Sequence, residues 1–276
     1  MALRGLLLLG CCCLLVAGEP DCFEWGLRAG MRLVYHVDAD DTLAMAGDPV
    51  LIRHRQEQWE IVCDRVDGDT IFLRQTLLHY RANEATSTGD SSIRRTIPWV
   101  GHSTRIVMTR RGWRIHTQLP QTDTFSVVPG GVFGPVLFVP LDSVCVRCGG
   151  TQWLIESRDT LVEYACPPAM LERMFLASVD SCPSGKVPHR ISIAETSRGV
   201  HRVRTPDLML ETTAWILAHS IVELDTQYHV PARVLTTQQI RLAIESAAGK
   251  PRRGEQRTGF RAQLKTITTP KRRPQR

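Results

Sequence analysis

Glu223 and Asp225 are the sequence's best candidates for acid–base chemistry, in a run that also holds His219 and His229. In a strand these odd positions share one face, opposite Val222, Leu224 and Tyr228. At a rise of roughly 3.3 Å per residue the two carboxylates would lie about 7 Å apart. Carboxylates at that kind of separation serve glycoside hydrolysis. The two histidines would be about 33 Å apart on the same estimate, too far to share a metal unless the chain turns. A solvated strand face yields the same pattern without chemistry. Asp38, Asp40, Asp41 and Asp48 offer oxygen ligands for calcium, but the run lacks the EF-hand glycine and terminal glutamate. It reads as a polar loop. The sequence contains no Gly-x-Ser-x-Gly elbow, His-Glu-x-x-His pair, phosphate-binding glycine loop or dinucleotide fingerprint. It implies no metal and no cofactor.

The thiols must be read together with the N-terminus. Arg4 precedes an apolar run, Gly5 to Gly18, too short for a bilayer span but suited to the core of a signal peptide. Val16-Ala17-Gly18 predicts cleavage after Gly18. The alternative is a lipid anchor at Cys11, which follows Leu8-Leu9-Gly10. Either route predicts a secreted or periplasmic protein. Beyond residue 18 stand Cys22, Cys63, Cys145, Cys148, Cys166 and Cys182, an even set that export would oxidise to disulfides of undetermined pairing. A bridge between Cys166 and Cys182 would staple the two ends of a short predicted helix. Cys145-Val146-Arg147-Cys148-Gly149 resembles half of a zinc knuckle, but no second half follows. Its flanks resemble strand and turn rather than the helix N-terminus of a redox site.

Charge is unevenly spread along the 276 residues. The formal net charge is +6, yet residues 250–276 hold ten lysines and arginines against Glu255 alone. The remainder is therefore slightly acidic, which argues against specific nucleic-acid binding by the body of the protein. Prolines, glycines and few large apolar residues predict a disordered basic tail over 250–276. Lys250, Arg252, Arg253, Lys271, Arg272 and Arg273 would give it affinity for an anionic surface, weakening with salt.

A two-residue period dominates the elements that must position these groups. Arg32–Asp38 alternates, and Trp59, Ile61 and Cys63 share a face. Asp67-Gly68-Asp69 joins that run to Thr70–Leu77 as a hairpin. A second hairpin turns at Arg110-Arg111-Gly112, with Trp113, Ile115 and Thr117 on the face opposite Arg114, His116 and Gln118. Further alternating runs cover 153–164, 190–194, 215–230 and 232–245. The one predicted helix spans 168–178, where Pro168 suits a first turn and Met170, Leu171, Met174 and Phe175 fall at helical spacing. A proline- and glycine-rich connection, 120–149, divides the region 19–249 into candidate subdomains at about 23–119 and 150–249. The six tryptophans read as core, or as the lining of a concave sheet if exposed.

The expected fold class is mainly β (α+β): an antiparallel, curved or barrel-like sheet with one short helix. With its leader, glycine-led strands and Asp-Gly-type hairpins across about 25–245, the chain resembles exported bacterial β-rich envelope proteins of the lipoprotein-carrier type. That resemblance implies a curved sheet cupping a helix and assigns no functional residue. The favoured function is non-catalytic binding of an apolar ligand or an envelope partner. The alternative is an exported hydrolase using Glu223 and Asp225.

Overall fold

The computed structural model describes residues 23–120, 134–140, 152–162, 168–181, 189–204, 209–246 and 249–270. The leader, Cys22, Cys145, Cys148, Cys166, Cys182, Lys271, Arg272 and Arg273 lie outside them. Twelve strands form one sheet: β1 Arg32–Met45, β2 Leu51–Asp67, β3 Thr70–Thr86, β4 Ser91–Arg94, β5 Ser103–Thr109 and β6 Arg114–Gln118, then β7 Gln152–Val162, β8 Ala169–Ser181, β9 Arg190–Arg204, β10 Met209–Asp225, β11 Val230–Ser246 and β12 Arg252–Thr268. The order β2-β1-β12-β11-β10-β9-β8-β7-β6-β5-β3 closes through a β2–β3 pairing, so eleven strands form a barrel and β4 is appended to β3. All neighbours are antiparallel except β6 and β7, whose parallel seam spans only His116–Gln118 against Thr160–Val162. Closure joins the two ends of the sheet, leaving β4 as a short edge. The two candidate subdomains contribute to one sheet.

Both predicted hairpins form. Gly68 and Gly112 take φ of 55° and 88° in their turns, conformations that glycine adopts without steric cost. The predicted faces of β6 are not all right, because the β5–β6 register shifts between Val107 and Met108. Arg114 is consequently buried with Thr117, and Ile115 is exposed.

Two expectations are corrected. Residues 169–181 form strand β8, not a helix. Leu171, Phe175, Ala177 and Val179 are buried, while Met170, Met174 and Leu176 are exposed on the other face. A strand apolar on both faces imitates helical spacing. Likewise, 252–268 is not a disordered tail but β12, hydrogen-bonded to β11 on one side and β1 on the other. Its buried Gln256, Thr258, Phe260 and Ala262 alternate with exposed Arg257, Arg261 and Lys265. Composition hid this period of two, because the inward residues other than Phe260 are small or polar and the outward ones carry the charge.

One end of the barrel is sealed. Trp25, Leu27 and Met31, on the segment leading into β1, are fully buried, and Val136–Val139 of the long connection are buried. The Trp25 indole N–H donates to the Val139 carbonyl at 3.1 Å, and its ring meets Phe138 edge-on at 5.4 Å. A side chain at Gly26 would strike the Tyr228 carbonyl, and one at Gly112 the Val139 carbonyl and the Trp25 indole. Both glycines therefore permit close backbone approach. The Tyr35 hydroxyl donates to Pro231 O at 2.8 Å, tying the β10–β11 turn to the same floor. Burial, then the nearby Asp225, raises the Tyr35 pKa far above the ordinary phenol value.

Candidate functional site

The inward positions change character along each strand. In β1, Leu33, Tyr35, Val37 and Ala39 are followed by Asp41, then by Leu43 and Met45. In β2 the inward run from the floor upward is Cys63, Ile61, Trp59, Glu57, Arg55, Arg53 and Leu51. In β9, Ile191 and Ile193 give way to Glu195 and Ser197. A charged belt thus lies between a sealed apolar lower core and the opposite, upper end.

Charges this deep must be paired, because an isolated buried ion is too costly. On one wall Arg55 donates to both Asp41 oxygens and to Glu57, whose other oxygen accepts from the Trp59 indole at 2.6 Å. Asp41 also accepts from Arg53 at 3.2 Å and from Thr258 at 2.8 Å. Burial alone would raise the Asp41 pKa, but Arg55, Arg53 and the Thr258 hydroxyl together hold it below the usual carboxylate range. On the other wall, Arg173 reaches Glu195 at 3.0 Å and Arg114 lies 3.6 Å from Asp159, whose two oxygens share the single hydroxyl proton of Thr117. Burial, then the like charge of Arg173, draws the Arg114 pKa down to about 10.

Above the Asp41–Arg55 network lies a cavity of about 600 Å³ within the lumen. Leu43, Leu51, Ile240, Leu242, Ile244 and Trp99 give it apolar walls, and Arg55 and Glu57 underlie it. Trp99 comes from the irregular segment between β4 and β5, and it is itself buried. Arg94 and Arg252, about half-exposed, stand at the rim, and Arg53 and Glu84 lie further in. The volume falls within the range of small-molecule sites, and so does the combination of apolar walls with a few placed polar groups.

A second concavity, of about 1310 Å³, lies on the outer wall over β7–β12. It mixes exposed Trp215, Leu217 and Met174 with Glu156, Arg158, Glu172, Arg198 and Arg241, and the Arg198 guanidinium sits 5.9 Å from the Trp215 ring. It is a surface depression, whereas the lumenal cavity is set inside the barrel.

The structure places the paired carboxylates on the partly exposed face of β10. Asp225 accepts from the backbone N–H groups of Gln227 and Tyr228, so it caps the β10–β11 turn. Glu223 lies on the partly exposed outer side, 3.8 Å from Arg233. Neither lines the lumenal cavity. His229 takes φ of 51° in that turn and stacks on Phe23. Among the described residues no group of three histidines, cysteines or carboxylates is arranged to hold a metal. Asp38 and Asp40 face outward while Asp41 faces the lumen, which separates the candidate calcium ligands. Cys63 is a free, buried thiol, its pKa pushed up to about 11 by burial and then by Asp64. Arg252, assigned from sequence to an anionic-surface tail, instead pairs with Asp48 at the rim. Lys250 is exposed just before β12, and Arg253 lies on its outward side.

Sequence reasoning missed the cavity and its arginines. The available signal was charge at inward strand positions: Asp41 two residues after Ala39, and Arg53, Arg55 and Glu57 in register with Trp59. Family-model comparison finds no match for the chain, and no curated protein matches it. Among solved structures, the chain is similar to one described as lipid–protein interactions in lipovitellin, at 10% identity and a TM-score of 0.45. The likeness covers 91% of this chain and 26% of that one.

Proposed function

We propose that the protein is an exported, non-catalytic binding protein that holds an apolar molecule in the upper lumen of its barrel. The observation that carries this reading is the apolar-walled cavity set above a charged belt, with the opposite end of the barrel closed by Trp25, Leu27 and Phe138. Transferring an apolar body into such a site gains about 25 cal/mol per Å² removed from water. The leader-like run Gly5–Gly18 supports export.

The test is a titration with Nile red, a neutral apolar dye. Saturable binding at one site is expected. Leu43→Asp places a carboxylate on the apolar wall of the lumenal cavity and leaves the outer concavity untouched. It is expected to weaken the dye at least tenfold, about 1.4 kcal/mol. Leu217→Asp on the outer wall is expected to leave binding unchanged. Circular dichroism establishes that both variants fold. Absent binding, or binding weakened by Leu217→Asp and not by Leu43→Asp, contradicts the reading.

A further inference from the structure

We infer that the lumenal ligand is an amphiphile carrying one compact anionic head, carboxylate or phosphate, received by Arg53, Arg94 and Arg252. This inference rests on the lumenal-binding reading and adds the chemistry of the head. Four arginines line the cavity against two carboxylates. Both carboxylates are already occupied. One Glu84 oxygen lies 3.5 Å from Arg53 and the other 3.2 Å from Arg94. The two Glu57 oxygens are taken by Arg55 and the Trp59 indole. Behind them, both Asp41 oxygens are engaged by arginines.

The donors are in surplus. A guanidinium carries five N–H groups and no acceptor. Among the described residues Arg53 uses only Nε and Nη1, although its side chain is just 17% exposed. Arg94 uses only Nε. Arg252 uses only Nη2, toward Asp48 and Ala46. The free N–H groups therefore outnumber the free acceptors where the apolar wall meets the rim. A guanidinium cluster of this kind matches the planar, multi-oxygen geometry of a carboxylate or phosphate. Leu43, Leu242 and Ile244 would take the chain, and Arg53, Arg94 and Arg252 the head.

The probes are dodecanoate, dodecyl phosphate, 1-dodecanol and dodecyltrimethylammonium, each displacing Nile red below its micellar concentration. The expected order is one or both anions at least tenfold tighter than the alcohol, and the cation weakest. The carboxylate and phosphate arms identify which head fits better. Arg94→Gln and Arg53→Gln are expected to reduce the anion's advantage to threefold or less while the alcohol's affinity holds. Arg94 is the safer variant, because its side chain is 58% exposed. Equal binding of acid and alcohol, preference for the cation, or an anion advantage that persists in both variants overturns the inference. Failure of all four probes to displace a bound dye contradicts the inference, while failure of the dye itself to bind contradicts the underlying lumenal reading.

Discussion

Replacing Asp41 with alanine is expected to destabilise the barrel by about 3–5 kcal/mol, the cost of breaking a buried ion pair on one side only. Asp41 is 2% exposed and accepts from Arg53, Arg55 and Thr258. Its removal strands Arg55 in the lumen with Glu57 as its sole remaining counter-charge. The acid dependence follows from the lowered pKa of this carboxyl. A carboxylate whose folded pKa lies below its unfolded value stabilises the fold at any pH above the unfolded value. That contribution disappears as pH falls through the folded value. The stability gap between native and Asp41→Ala protein should therefore be full at neutral pH and narrow below the ordinary carboxylate range. Urea midpoints from pH 7 to about pH 2 measure it. A gap that stays constant throughout, or that widens in acid, would contradict the charge assignment.

Trp25→Ala is expected to have a comparable effect, about 3–5 kcal/mol, by emptying the barrel floor. The indole is fully buried, contacts Phe23 and Phe138 edge-on, and donates to Val139. Truncation leaves both a void and a buried carbonyl without its donor, which itself costs about 1–3 kcal/mol. Trp25→Phe should recover most of the packing loss and none of the hydrogen bond, and so should fall between the two. Thermal and chemical unfolding of the three proteins gives the comparison. Equal stability of Trp25→Ala and native protein would show that the segment does not seal the barrel.

Much of the fold was legible because strands leave a local trace. The alternation Arg32–Asp38, the Asp67-Gly68-Asp69 turn and the glycine turn at 112 each depend on neighbours close in sequence, and all three form as expected. Misreadings arose where local pattern and burial part company. In β8 both faces are apolar, with Met170, Met174 and Leu176 exposed, so the spacing passed for a helix. In β12 the inward side is Gln256, Thr258, Phe260 and Ala262, and the outward arginines dominated the composition. The β5–β6 register shift turned Arg114 inward against its predicted face.

The cavity was hidden for a different reason. Its walls come from β1, β2, β3, β4, β9, β11 and β12 and from the segment holding Trp99, which closure of the barrel brings together across long stretches of chain. Asp41 and Thr258 are hydrogen-bonded at a separation of 217 residues. No spacing within one strand encodes that pairing. Glu223 and Asp225, conspicuous as neighbours, do share one face of β10, but Glu223 lies beside Arg233 and Asp225 caps the turn that follows.

The most direct test of a lumenal binding site is a crystal structure of the protein soaked with 1-bromododecane, whose bromine is located by anomalous scattering. The expected peak lies inside the barrel, in van der Waals contact with Leu43, Leu242 or Ile244. A peak on the outer wall against Trp215 and Leu217, or no ordered bromine at a concentration that saturates dye binding, would contradict it.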